Sequence, residues 1–302
     1  MAKFLLGFGN NKLRLMLVNN MNEVIVLEEI SIAIDLSKDI AVLKNDKNTI
    51  YELSDIITSA IKAEGVEIES AGVTIDSSQA FINNIPVDFK EDAKMINSHL
   101  MWELSNYFPD EHQNFNIKYY KLEKKGLPEN VDEALLIAMD KNKTEFIKNI
   151  FMVLKFPLKI IDIDHFSSEK LLKYNYASEL ANSDVLLIGF RSNGMELSVI
   201  CNEKLKHYEF VNSFNIADPE LLTSFISKIK IENEINIKKI FYYEDNILNR
   251  VPEMSTGHDD IKLCIIDPFL KLKLSRQLLS GKNTNENFSR FSALCGLAVK
   301  LN

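Results

Sequence analysis

The sequence predicts an α/β protein of two related domains, the first carrying an inserted α/β subdomain and the second reduced. Three observations predict it. A hairpin signature occurs twice, strand and helix signals alternate rather than forming blocks, and the same succession of third strand, helix and further strand follows each hairpin. Leu5, Gly7, Phe8, Asn11 and Leu15 recur in the same relative positions as Leu187, Gly189, Phe190, Asn193 and Leu197, 182 residues later. In the second copy, Asp184 to Ile200, apolar runs flank Asn193-Gly194, a dipeptide that tolerates positive φ, so the stretch reads as strand, tight turn, strand.

Lys3 to Gly9, Leu13 to Val18 and Val24 to Ile34 read as three strands joined by short polar turns, an antiparallel meander. Thr49-Ile50-Tyr51-Glu52 has capping-box spacing, and Leu53, Ile56, Ile57, Ala60 and Ile61 follow at helical intervals until Gly65 stops the helix. A strand at Val73 to Ile75 leads into a different region. It has a strand around Phe81-Ile82, a helix from Glu91 to Tyr107, strands at Asn116 to Lys121 and Ala134 to Met139, and a helix from Lys143 to Lys155. A strand at Leu158 to Ile163 and a helix from Ser167 to Leu180 come next, and then the meander repeats at Val185 to Arg191, Met195 to Asn202 and Lys206 to Phe214. Asp218-Pro219 marks a helix start, an N-cap followed by proline at the first helical position. Strands at Lys239 to Tyr243 and Lys262 to Ile266, and a last amphipathic helix with Phe288, Phe291, Leu294 and Ala298, complete the chain. The expected division is 1–77 for the start of the first domain, 78–163 for the insertion, 164–183 for the return, 184–285 for the second domain, and 286–302 for a helix packing back on the first.

At 302 residues and 46% hydrophobic, the chain can bury a large core. Its formal charge is −8, with 35 Lys and Arg against 43 Asp and Glu and no basic stripe, which argues against nucleic acid as a partner. No apolar run approaches the roughly 20 residues of a membrane span, and the start MAKFLLGFGNN breaks at glycine too soon for a signal peptide. Three dispersed cysteines without metal-type spacing fit a reducing compartment, so a cytoplasmic location is expected.

Several segments then carry a resemblance. Two hairpin-led halves with an insertion in the first resemble the actin-like (RNase H-like) superfamily. Ile85-Pro86-Val87, Trp102 to Pro109, Phe115 to Leu122, Ala134 to Met139, Ile161 to Asp164, Cys264 to Phe269 and Gly296-Leu297-Ala298 resemble, in that order, the PilM family of type IV pilus assembly. The chain is similar also to the cytoplasmic actin-like part of the type II secretion inner-membrane scaffold. The resemblance implies two hairpins facing across a cleft that in active relatives grips ATP. It further implies a partner: a cytoplasmic segment of a PilN-like inner-membrane protein, bound in a groove between the insertion and the first domain, and through it a peripheral association with the membrane beside other machine components.

In the active ATPases of the superfamily each hairpin has an acid before its turn glycine, which organises magnesium, while turn amides hold phosphate. Aligned without gaps, this chain has Gly7 at the first such position, followed by Phe8, Gly9, Asn10, Asn11 and Lys12, and Gly189 at the second, followed by Phe190, Arg191, Ser192 and Asn193. Arg191 takes the turn-glycine place, Phe241 to Asp245 replaces a glycine-rich adenosine turn, and the stretch between Phe214 and Lys239 is too short for a lid. The expectation is a non-enzymatic scaffold without ATP or magnesium, with no catalytic residue and no metal, its hairpins structural. The alternative is an ATPase of the same fold in which Lys12 or Arg191 holds phosphate and Asp162 or Asp267 holds metal; a sugar kinase lacks a placeable catalytic Asp. Asp162, Asp164 and His165 look like a ligand cluster, but a strand end leading into a helix N-cap explains them more simply.

One helix points to interaction. On Glu91 to Tyr107, Ala93, Ile96, Leu100 and Leu104 form one apolar stripe, while Met95, His99 and Trp102, the only tryptophan, form a second. The second stripe is read either as core or as a partner-binding face.

Overall fold

In the computed structural model the described residues are 1–9, 11–33, 43–122, 132–181, 183–191, 194–212, 219–233, 235–244, 261–281 and 287–302. Strands β1 (Ala2–Phe8), β2 (Lys12–Asn19) and β3 (Glu23–Ser31) form the antiparallel meander, followed by helix α1 (Lys47–Ile61) and β4 (Ile68–Ile75), parallel to β1. Then come β5 (Phe81–Val87), α2 (Ala93–Tyr107), β6 (Phe115–Leu122), β7 (Asp132–Asp140), α3 (Lys141–Leu154), β8 (Leu158–Ile163), α4 (Asp164–Asn175) and α5 (Ala177–Leu180). The second half has β9 (Asp184–Arg191), β10 (Gly194–Cys201), β11 (Lys204–Asn212), α6 (Pro219–Asn233), β12 (Ile237–Glu244), β13 (Lys262–Ile265), β14 (Lys273–Leu274), α7 (Arg276–Gly281) and α8 (Ser292–Lys300).

The hairpin repeat is a repeat of topology. One sheet runs β3-β2-β1-β4-β8 with β14 added outside β3, the other β11-β10-β9-β12-β13, so each is a meander extended by two parallel strands. A layer of helices α4 and α8 separates the sheets. Leu5 and Met16 from one sheet, Leu187 and Phe241 from the other, and Leu294 and Leu297 from α8 share a single buried cluster. Each fully buried Leu or Phe there contributes about 1.5–3 kcal/mol. Helices α1 and α3 cover the far face of the first sheet, and α6 covers that of the second through Leu222, Phe225 and Ile229. With both faces covered, β9 and β10 are buried almost end to end, which is why their sequences do not alternate. The α4–α8 crossing is tight: a Cβ on Gly296 would stand 1.7 Å from the carbonyl oxygen of Ser167.

Some boundaries differ from expectation. The expected insertion ends at 163, yet β8 pairs with β4 in the first sheet and α3 packs on the first domain, so the inserted unit is the three-stranded sheet β5-β7-β6 with α2, closing at Asp140. Likewise the second domain does not run to 285, because β14 pairs with β3. Helix α1 starts one turn before the expected box. Asp46 accepts from the amides of Asn48 and Thr49, and a carboxylate cap there satisfies the first free amides before Thr49 can. Between β11 and β12, α6 is the one helix among the described residues.

Candidate functional site

The end of β1 in one half and the end of β9 in the other face a common cleft, and what fills that cleft is built from both halves. At Gly7 a Cβ would meet Thr74 Oγ1 at 3.3 Å and Leu294 at 3.4 Å; at Gly189 it would stand 2.4 Å from the Tyr243 hydroxyl. Gly189 is therefore glycine for a packing reason, since Tyr243 is its register partner across β9 and β12, whereas a side chain at Gly7 would only crowd Thr74, its partner across β1 and β4.

Arg191, the last residue of β9, turns inward and is 4% exposed. Its Nε donates to Glu196 Oε2 at 2.7 Å, its Nη2 contacts Asp164 Oδ1 at 2.7 Å and the Tyr243 hydroxyl at 3.2 Å, and its guanidinium lies 5.4 Å from the centre of the Tyr243 ring. Asp164 opens α4 in the first half; Glu196 sits in β10 opposite Gly189. Tyr208 donates to the other Glu196 oxygen at 3.1 Å. His165, fully buried, pairs with Tyr243 through Nδ1 and with Ser198 through Nε2, each at 2.8 Å. One cation is thus shared by two carboxylates from opposite halves, inside a shell of hydroxyls.

The electrostatics follow from that geometry. Burial would raise the Glu196 carboxyl, but the Arg191 guanidinium holds it below the ordinary carboxylate value. Burial would lower Arg191, yet Asp164 and Glu196 hold it firmly protonated. Burial keeps His165 below its ordinary value, so the ring is neutral, and burial pushes the Tyr243 and Tyr208 hydroxyls well up, so both remain donors. The space left beside Gly7, Gly9, Arg14, Asp164 and Arg191 is about 20 Å³, room for about one water. Glycine stands at both hairpin positions where a carboxylate would anchor magnesium, and the Asp164 and Glu196 carboxylates are taken up by Arg191.

The remaining predicted positions are scattered. Lys12 is drawn away to Glu29, at 2.8 Å, which also pairs with Arg14 at 2.8 Å. The Gly9 amide donates to the Lys12 carbonyl at 2.9 Å, and the Asn11 carbonyl accepts from Ile32 at 2.9 Å, which ties the first turn to the end of β3. Asn10, Ser192 and Asn193 lie outside the described residues. A phosphate site using Lys12 and Arg191 together is therefore not what the geometry presents. Asp162 takes the Ser167 hydroxyl and the Lys300 ammonium, and Asp267 accepts from the Phe269 amide at 2.9 Å, so each proposed metal carboxylate has a structural partner. Among the described residues, no group of three or more His, Cys, Asp or Glu could hold a metal ion. Asp164 and His165 are part of the buried network rather than only a helix start. Sequence reasoning missed that network, although Glu196 and Ser198 in the mostly apolar run Met195 to Cys201 were a signal that buried partners must exist.

On α2, Ile96, Leu100 and Leu104 pack on β5 and β7, and Ala93 is exposed. The second stripe is not core: Met95 is 56% and Trp102 60% exposed, with His99 between them stacked on Trp102. A larger groove, about 540 Å³, lies between β5 and β11, lined by Ser77, Phe81, Asn84, Leu135, His207 and Phe210 among others. It separates the insertion from the second sheet, not from the first domain as expected for a partner groove.

Duplicated sheets, a shared helix layer and a cleft between two hairpins define an actin-like protein. A Bacteroides thetaiotaomicron protein with actin-like ATPase fold and unknown function superposes with a TM-score of 0.54 at 14% identity, over 88% of this chain and 91% of that one. The chain belongs to the PilM family: the family described as Type IV pilus assembly protein PilM matches residues 6–210. The solved PilM-PilN type IV pilus biogenesis complex superposes with a TM-score of 0.74 at 11% identity, over 98% of this chain and 97% of that one. The cytoplasmic domain of EpsL, an inner membrane component of the type II secretion system of Vibrio cholerae, matches with a TM-score of 0.46 at 9% identity, over 81% and 82%. Among curated proteins, none matches in sequence. No helix among the described residues is long and apolar enough to cross a membrane.

Proposed function

We propose that this protein is a nucleotide-independent scaffold of a type IV pilus or type II secretion-like machine, which holds a short cytoplasmic segment of a PilN-like inner-membrane partner and is thereby kept at the membrane from the cytoplasmic side. The observation that carries it is the Arg191 guanidinium, buried between Asp164 and Glu196 across the cleft. In an actin-like ATPase, nucleotide and metal link the two halves. Here an internal cation and two carboxylates make that link, so the halves are held together without a ligand, and Asp164 and Glu196 are committed to Arg191 rather than to a magnesium ion. The chain then keeps the shell of the fold as a platform, and the β5–β11 groove, bounded by two sheet edges, has the size and shape to take an extended segment.

The test is the melting temperature with and without millimolar Mg-ATP. A ligand at 100 times its Kd stabilises the folded state by about 2.7 kcal/mol, a shift of several degrees. An unchanged melt is expected; a magnesium-dependent rise refutes the nucleotide-independent reading. The partner is tested separately by calorimetric titration of a synthetic peptide copying the cytoplasmic N-terminal segment of a PilN-like protein from the same genome. Phe210→Arg in the groove is expected to abolish its binding, and undiminished binding to that variant would place the segment elsewhere.

A further inference from the structure

The outer face of α2 has the composition of a contact surface, and among the described residues nothing covers Met95 or Trp102. Trp102 and Met95 are more than half exposed although a helix with one buried stripe needs no second. They are also held in place. His99 Nε2 donates to the Pro86 carbonyl at 2.9 Å, and its ring stacks on Trp102 at 6.0 Å with 25° between planes, so the imidazole fixes one face of the indole. Beside them the end of β5 and the start of α2 enclose a groove of about 410 Å³ with an apolar floor of Pro86, Val87, Met95 and Ile96.

The charged side chains that line that groove are acidic. Asp88 and Glu91 line it, no lysine or arginine is among its described lining residues, and Glu103 stands 3.9 Å from His99 at the other end of the stripe. An apolar floor with carboxylates at both ends is complementary to an apolar anchor flanked by cations. Aromatic and methionine side chains of this kind form the energetic centre of protein contacts. We infer that the Met95–His99–Trp102 face of α2 docks a short amphipathic segment of a partner protein that places an aliphatic or aromatic side chain between lysines or arginines. This surface is on the insertion, apart from the cleft and from the β5–β11 groove, and it stands whether or not the nucleotide-independent reading does.

Trp102 is the only tryptophan, so its fluorescence reads this face alone. The full chain is titrated with a short helical peptide of leucine and lysine and with its leucine–glutamate counterpart. The expected result is a saturable blue shift with the lysine peptide and none with the glutamate peptide. Met95→Glu, which adds a charge in the groove, is expected to weaken binding by about tenfold. Met152→Glu adds the same charge on an exposed part of α3 and is expected to leave the titration unchanged. If lysine-peptide binding is merely attraction to a chain of net charge −8, Met95→Glu binds as well as wild type, and that result overturns the proposal. Equal shifts from both peptides overturn it too. A blue shift on vesicles of phosphatidylglycerol would assign the face to a membrane instead.

Discussion

Replacing Arg191 by methionine removes the cation while keeping most of the side-chain volume. It leaves Asp164 and Glu196 facing each other in the cleft, and Glu196 is wholly buried. Each guanidinium–carboxylate attraction at 2.7 Å is worth on the order of 6 kcal/mol at an effective dielectric constant of 20, offset by several kcal/mol of desolvation per ion. Removing one partner forfeits the attraction but not the desolvation, so the net loss is about 3–5 kcal/mol. At roughly 2 °C per kcal/mol for a chain of this size, the melting temperature should fall by roughly 6–10 °C, measured by differential scanning calorimetry. Adding Asp164→Asn and Glu196→Gln to Arg191→Met removes the stranded charges and should recover most of the loss, because a neutral hydrogen-bonded cleft costs little. A single variant melting within about 2 °C of wild type would refute the reasoning, since it would mean that the carboxylates are solvated and the cleft is not sealed.

The same network sets a pH profile. Unfolded His165 takes a proton near pH 6.5 while the buried ring resists it, so stability should decline as pH falls below about 6.5; His165→Gln should remove this limb in melts across pH. Glu196, held below its ordinary 4.5, adds a second acid limb below about pH 4.5, and Tyr208 and Tyr243, pushed above 10, make stability fall as pH rises beyond about 10. Gly296→Ala forces a methyl into the Ser167 backbone and should cost about 3 kcal/mol or more, roughly 6 °C by calorimetry. Trp102→Ala, by contrast, should leave the melting temperature within about 1–2 °C of wild type, because the indole is mostly solvated.

Much of the site was legible only in the negative. That Gly7 and Gly189 stand where carboxylates would be, and that Arg191 displaces a turn glycine, can be read from the chain. What surrounds those positions cannot, because Thr74 and Tyr243 reach them through parallel pairings between strands far apart in sequence. Trp102 shows the same limit. Its spacing from Met95 and His99 marks a stripe, but whether the stripe faces core or solvent depends on which side of α2 the inserted sheet covers, a fact of packing.

Local pattern determined most of the elements, though not β14 or α7. Alternation and turn residues placed the meanders, helical spacing placed α1 and α2, and the repeated hairpin revealed a duplicated plan, since each signal acts over a few neighbouring residues. Tertiary structure decided what those elements meet. It sent β8 and β14 to the first sheet, put α4 and α8 between the sheets, and brought Asp164, Arg191 and Glu196 together. The physical reason is that burying a charge is tolerable only beside its counter-charge, and for Arg191 and Asp164 that neighbour is assigned by the packing of two halves rather than by any spacing along the chain.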